Sequence, residues 1–202
     1  MRRSLRSLAG AASLAAAAAL SGCVAPVGPV EVTRFHAPGA VPLARGTISV
    51  EPAPGQEDGI EFRAYAGAVM RELQRVGYVD AAGGAGPGRQ VATLSIERQA
   101  YRPGREGGPV SVGVGGSTGS YGSGVGVGIG INLSGPPPEQ AETRMHVMIR
   151  DRASGQTIWE GRARFAVRAD SPLAQTPLGA AKMAEALFKD FPGQSGETIL
   201  VK

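Results

Sequence analysis

The chain has 202 residues, a formal net charge of +4, 31 glycines and one cysteine. Three of its 21 basic residues lie in an N-terminal segment with the composition of a signal peptide, and removing that segment leaves 18 basic and 17 acidic residues. A nearly neutral mature chain gives no reason to expect nucleic acid as a partner, and a single cysteine excludes an internal disulfide. About 180 mature residues suit one folded domain.

Residues 1–22 predict a secretory signal peptide. Three arginines precede the apolar run Leu8 to Leu20, which is too short to cross a membrane as a helix. The run ends in Leu20-Ser21-Gly22-Cys23, which resembles the lipobox of bacterial lipoproteins. The resemblance implies cleavage before Cys23 and acylation of this cysteine. An ordinary secreted protein that is cut near Gly22 and keeps Cys23 as a free thiol is the alternative.

Residues 23–29 are expected to be the acylated cysteine and a short tether. Val24 to Pro29 reach at most roughly 20 Å when extended, which would hold the domain close to the membrane. Val24 follows the cysteine where aspartate would favour retention at the inner membrane. By resemblance to that sorting rule, we expect a lipid-anchored protein of the cell envelope, in the outer membrane and facing the periplasm.

Residues 30–202 are expected to form a single domain. Alternation predicts strands at Val30 to Phe35 and Thr47 to Glu51. A helix follows, with Asp58 as its N-cap and Glu61 completing a capping box. Gly77 suits the left-handed position after this helix, with Tyr78 folding back on it. The helix has one apolar stripe, made of Phe62, Ala66, Val69, Leu73 and Val76.

The sequence of the second half of the domain predicts strands and one further helix. Val91 to Tyr101 is predicted to be a long strand, and Thr143 to Arg150 and Thr157 to Arg168 a hairpin. The last helix is expected to start at Pro177 and to end at Pro192-Gly193. Its predicted core positions are Ala180, Ala184, Leu187 and Phe191, and a short strand, Glu197 to Val201, follows it. This order predicts an α+β domain with a largely antiparallel β-sheet and two helices packed on one face.

A glycine-rich hairpin is predicted at about 104–135. Thirteen of the glycines lie there, and valine or isoleucine alternates with glycine or serine on both sides of a tip of small residues. A phosphate-binding loop is excluded because neither a G-x-G-x-x-G motif nor a Walker lysine is present. The hairpin is therefore expected to be either poorly packed or a docking surface for a partner strand or the membrane.

Known catalytic and metal-binding patterns are absent from the sequence. His36 and His146 have no further ligands at the spacing of a metal site, and Gly193-Gln194-Ser195-Gly196 only approaches the acyl-hydrolase motif. We therefore expect a protein that is not an enzyme and uses no metal or cofactor. A binding or assembly module is the first hypothesis, a carrier of a lipid or other apolar ligand the second, and a hydrolase the third.

Five arginines share the polar parity of the two strands of the predicted hairpin. Their guanidinium groups suit anionic lipid headgroups or glycans near the membrane, and a solvated surface offset by Glu160 and Glu97 is the alternative. The candidate residues are Arg144, Arg150, Arg162, Arg164 and Arg168.

Five local segments carry a resemblance to a known family: PVEVTRFH, ELQRVGY, YGSGVGVGIG, GQTIWEGRA and ALFKDFPGQSGET. Together they resemble the proteobacterial lipoproteins of the domain of unknown function 4136 family. The resemblance implies an envelope lipoprotein, with another envelope protein as a candidate partner. It implies no catalytic residue, because the family has no established activity.

Overall fold

The computed structural model describes residues 27–37, 46–84, 86–104, 110–119, 122–131 and 137–202. The predicted signal peptide, the acylation site at Cys23 and residues 24–26 of the tether lie outside this part of the chain. Residues 110–119 and 122–131 are described here by their backbone and strand pairing.

Nine strands and two α-helices form the described part of the domain. The helices are α1 (Ile60–Arg75) and α2 (Thr176–Phe188). The strands are β1 (Val30–His36), β2 (Thr47–Pro52), β3 (Val79–Asp80), β4 (Gln90–Tyr101), β5 (Val110–Gly119), β6 (Gly122–Ile131), β7 (Gln140–Asp151), β8 (Thr157–Arg168) and β9 (Thr198–Val201). Seven strands make one sheet in the order β3-β2-β4-β7-β8-β1-β9, while β5 and β6 pair separately.

The seven-stranded sheet is mixed, which corrects the expectation of a largely antiparallel one. Strand β2 pairs in parallel with both β3 and β4, whereas β4, β7, β8, β1 and β9 pair antiparallel. The cause is the crossover through α1, which returns the chain to the end of the sheet where β2 began. The next strands therefore run in the same direction as β2.

The prediction for α1 is wrong at the start of the helix and confirmed at its end. The capping box is wrong, because the helix begins at Ile60 with Gly59 as the N-cap and without a side-chain cap. Asp58, one residue too early, instead accepts a hydrogen bond from Arg63 Nε at 3.0 Å. At the other end Gly77 has φ 113°, and the Tyr78 amide donates to the Leu73 carbonyl at 3.0 Å. This is the predicted glycine C-terminus.

One face of the sheet is covered by both helices and forms the core, as predicted. The inward residues of β7 and β8, such as Met145, Val147, Ala163 and Phe165, are buried. Trp159 is fully buried, with its ring stacked on Phe188 at 5.3 Å between centroids. Alternation along the strands thus separates an apolar face from a polar one.

Helix α2 starts at Thr176, one residue before the predicted start at Pro177, and it ends earlier than predicted. It spans Thr176 to Phe188, so Phe191 lies beyond its end rather than within it. Arg34 of β1 donates from Nε to the Leu187 carbonyl and from Nη2 to the Ala186 carbonyl, each at 2.9 Å. This buried guanidinium satisfies carbonyl groups that the last turn leaves without helical partners. Phe191 still packs on Trp159, 5.2 Å away.

The predicted glycine-rich hairpin is present as β5 and β6. The two strands are antiparallel, and their register places apolar residues opposite one another. Val112 pairs with Ile129 and Val114 with Val127, while Gly113 pairs with Gly128. The alternation seen in the sequence therefore matches across the two strands.

We predict that Gly161→Ala destabilises the domain. An added Cβ would overlap the Trp159 ring and lie 2.8 Å from Leu187 Cδ1, so α2 or the indole must move. Overpacking of this kind costs about 1–3 kcal/mol, which denaturant unfolding would measure. Gly83→Ala is the control, since a Cβ there meets no atom within 4 Å. Equal stabilities of the two variants would contradict the proposed tight contact.

Candidate functional site

The candidate site is the sheet face opposite the helices, here called the open face. Four adjacent strands, β4, β7, β8 and β1, present alternate side chains on it. A concavity of about 400 Å³ lies at its centre. The polar residues that line it are Glu31, Thr33, Ser95, Glu97, Arg144, His146, Arg162 and Arg164.

Glu142 joins two of the predicted arginines. Its carboxylate accepts from Arg164 Nη2 and lies beside Arg144 Nη2, at 2.7 Å in each case. Gln99 Nε2 donates to the same carboxylate at 3.3 Å. Only 2% of the Glu142 surface is exposed, because these partners cover it. The hydrogen bond from Arg164 is the main reason that the pKa of Glu142 is lowered.

Glu160 forms the second centre of charge. Its Oε1 atom lies 3.0 Å from His146 Nε2 and 2.7 Å from an Arg162 guanidinium nitrogen. The Arg162 guanidinium also lies 5.8 Å from the centre of the Phe35 ring, within the range of a cation–π contact. Glu160 thus links a histidine and an arginine on neighbouring strands.

The two remaining arginines lie at opposite ends of the open face. Arg168 pairs with Asp170 at 2.7 Å, and their hydrogen bond raises the pKa of Arg168 and lowers that of Asp170. Arg150 lies near the other end, where its charge adds to the lowering of the Glu51 pKa by a hydrogen bond from Arg152. The five predicted residues therefore share one face, with Arg144, Arg162 and Arg164 at its centre.

Carboxylates offset most of this positive charge. Glu160 pairs with Arg162, and Glu97 lies 3.9 Å from Arg144, as expected for a solvated surface. Sequence reasoning missed Glu142, because it lies one residue before the predicted strand, although it has the same parity as Arg144. The open face is a set of alternating charges rather than a uniformly cationic patch.

The two histidines occupy separate places. His146 lies on the open face, as its parity predicts, whereas His36 ends β1 and its backbone amide donates to Ser195 Oγ at 3.2 Å. Among the described residues, no group of three or more His, Cys, Asp or Glu side chains is arranged to hold a metal ion. In the same part of the chain, no helix is long and apolar enough to cross a membrane.

The lowered pKa of Glu142 predicts that part of the stability of the domain is lost in acid. Because its pKa is lower in the folded state, its ionised form stabilises the fold above the unfolded pKa of about 4.3, and this contribution is lost as pH falls through the folded pKa. We expect Glu142→Gln to lower the free energy of unfolding at neutral pH by about 1–3 kcal/mol. The difference from wild type should shrink in acid.

Denaturant unfolding between neutral and acid pH measures this difference. Glu97→Gln is the control, because the Glu97 side chain is 77% exposed and its distance to Arg144 is 3.9 Å. A Glu142→Gln difference that stays constant with pH would contradict the assigned role.

Comparisons with known proteins found local and overall similarities. An uncharacterised protein of Zymomonas mobilis is 36% identical over 63 residues, which are 31% of this chain and 24% of that protein. The chain thus spans about a quarter of the curated relative that it matches. A PDZ domain protein from Parabacteroides distasonis is similar with a TM-score of 0.48 and 10% identity, over 86% of this chain and 39% of that one.

A PelC dodecamer from Paraburkholderia phytofirmans is similar with a TM-score of 0.39 and 14% identity, over 78% of this chain and 96% of that one. A family model matches residues 46–193, a range that includes α1, α2, β2 to β8 and most of the open face. The chain belongs to the family described as domain of unknown function DUF4136.

Proposed function

We propose that this protein is a lipid-anchored component of the bacterial cell envelope whose domain binds another envelope component through the open face. Cys23 carries the lipid, and the domain faces the periplasm from the outer membrane. The lipobox-like Leu20 to Cys23 and the preceding apolar run support the anchor. The domain is proposed to act by binding rather than by catalysis.

The observation that carries the binding role is the organisation of the open face. Helices cover only one side of the sheet, and the other side holds a polar concavity framed by Arg144, Arg162 and Arg164. Their side chains are 52–63% exposed although each contacts a carboxylate. A guanidinium has five N–H donors, so donors remain for a ligand.

Exposed apolar side chains lie beside this polar centre. Phe35 of β1 is 40% exposed, and Leu200 of the edge strand β9 is 66% exposed. Both have the parity of Glu31 and Thr33, which places them on the open face. Aromatic and arginine residues are enriched in protein interfaces, and their proximity here favours a protein partner.

The charge pairing also favours binding over catalysis. Each central carboxylate, Glu142 or Glu160, contacts two basic side chains, and the pKa of Glu142 is lowered, whereas a general acid at neutral pH needs a raised pKa. A charged ligand could replace one partner in these ion pairs without any covalent step.

A carrier of an apolar ligand is the second candidate. Most of the space between the sheet and the helices is filled by buried side chains such as Tyr65, Trp159 and Phe165. A groove of about 460 Å³ lies at the edge, between β2 and α1, where Val50, Ala66 and Met70 contribute apolar surface. This groove is where an apolar ligand would bind, and co-purification of extractable lipid would support it.

Replacing Cys23 tests the anchor. We expect Cys23→Ser to remain unprocessed or to lose its lipid, because serine cannot form the thioether. Metabolic labelling with a fatty acid and membrane fractionation measure the outcome. A Cys23→Ser protein that is still processed and still fractionates with membranes would contradict the anchor.

Photocrosslinking in cells tests the open face. We expect p-benzoylphenylalanine in place of Arg162 to give an adduct of defined mass, because Arg162 lies at the rim of the concavity. The matched control is the same replacement of Gln74, which is exposed on α1. Adducts from the Gln74 position alone would place the partner on the helical side and overturn the assignment.

A further inference from the structure

The tether and the glycine-rich hairpin leave the sheet from the same end. Glu31, near the start of β1, lies opposite Arg164 of β8, and Arg168 at the end of β8 lies opposite Gln140. Gln140, the first residue of β7, pairs with Tyr101, the last residue of β4. The chain enters from the tether at this end, and the segment that contains β5 and β6 leaves and returns there. We call it the tether end.

The two exits are also close to each other. In the order β4-β7-β8-β1, the start of β7 lies two strands from β1, and the end of β4 lies three strands away. With neighbouring strands about 4.8 Å apart, these separations, measured across the sheet, are about 10 and 14 Å. The segment that carries the hairpin thus leaves the sheet beside the point where the proposed lipid anchor holds the domain.

The hairpin has the composition of a segment that can contact lipid. No residue from Gly107 to Pro138 carries a charge. Apolar positions lie opposite apolar positions in the pairs Val112–Ile129 and Val114–Val127. A long uncharged segment is unusual in a chain where 19% of the residues are charged. Its contact with lipid would leave no charge to be desolvated.

The reach of the hairpin exceeds that of the tether. Strands β5 and β6 have ten residues each, and a strand of that length measures about 34 Å. From Cys23 to Val30 the extended chain spans at most about 25 Å. The tether therefore holds the start of β1 within a distance of the lipid surface that is shorter than the hairpin is long.

Exposed apolar side chains gather at the tether end. Glu61 at the start of α1 and Thr176 at the start of α2 both hydrogen-bond Arg98 of β4, which places the two helix starts there. Five of the seven large apolar side chains that are exposed in the described chain lie at this end. They are Val27, Ile60, Tyr101, Leu178 and Leu200.

We propose that the β5–β6 hairpin lies against the lipid surface in which the protein is anchored, with the tether end facing the membrane. This inference rests on the proposed anchor at Cys23. A two-stranded hairpin has two edges with unpaired backbone groups, which hydrocarbon cannot satisfy. The hairpin therefore rests at the boundary of headgroups and acyl chains, about 5–10 Å deep, instead of crossing the bilayer.

Site-specific fluorescence on the acylated mature protein tests this placement. Acylation consumes the Cys23 thiol, so Val127→Cys supplies the single reactive thiol for an environment-sensitive fluorophore. Vesicles of phosphatidylethanolamine and phosphatidylglycerol provide the surface. We expect a blue shift of the emission and loss of fluorescence to quenchers attached to shallow acyl positions.

Ala153→Cys is the matched control, because Ala153 is exposed in the turn between β7 and β8 at the opposite end of the sheet. We expect its label to be insensitive to the lipid quenchers. Flotation of the vesicles is measured with both variants to separate the anchor from the hairpin. Protein that floats with neither label quenched, or with both quenched equally, overturns the hairpin placement and leaves the anchor intact.

Protein that does not float overturns the anchor and the inference together. A blue shift of the Val127 label in detergent that increases with protein concentration, without quenching in vesicles, would assign the hairpin to a second copy of the chain. That result would also overturn lipid contact.

Discussion

The packing of Trp159 determines how the two layers of the domain fit together. The indole of this β8 residue stacks on Phe188 of α2, contacts Phe191, and donates from Nε1 to the Pro192 carbonyl at 3.0 Å. Gly161 makes room for it, since any side chain there would overlap the ring. Sheet, helix and the segment after the helix are thus joined through one side chain, and α2 is fixed on one face of the sheet.

The open face can hold polar residues because both helices pack on the opposite face of the sheet. Alternation along β7 and β8 then places arginines and glutamates in neighbouring rows on the open face. Their pairs are between 2.7 and 3.9 Å long and mostly half-exposed. Exposed ion pairs contribute little stability individually, whereas the buried carboxylate of Glu142 has two arginine partners and contributes more.

Much of the fold follows from local patterns in the sequence. Alternation predicted Thr157 to Arg168 as a strand, and the apolar stripe predicted α1. The parallel pairing of β2 could not be predicted in this way, because strand direction depends on the path of the chain through α1 and not on alternation. The predicted cap at Asp58 is wrong because the helix begins at Ile60, one residue later than a cap at that position requires.

The candidate site was predicted incompletely because its contacts depend on strand bounds and on cross-strand register. The parity of β7 and β8 correctly grouped the arginines, but the strand was predicted to start at Thr143, whereas β7 starts at Gln140. Glu142 therefore lay outside the predicted strand, and its contacts with Arg144 and Arg164 depend on cross-strand register. Pairwise register is a tertiary property that a single sequence does not specify.

The segment between Tyr101 and Gln140, which contains the β5–β6 hairpin, is an insertion into the seven-stranded sheet. Because Tyr101 pairs directly with Gln140, the sheet does not depend on this segment. Its two ends are opposite each other in the ladder, so a short turn could join them without moving any strand of the sheet. The length of this segment affects the free energy of folding mainly through the entropy of loop closure. Each doubling of the loop length costs only about 0.6 kcal/mol. A change in the length of this segment is therefore expected to leave the core of the sheet unchanged.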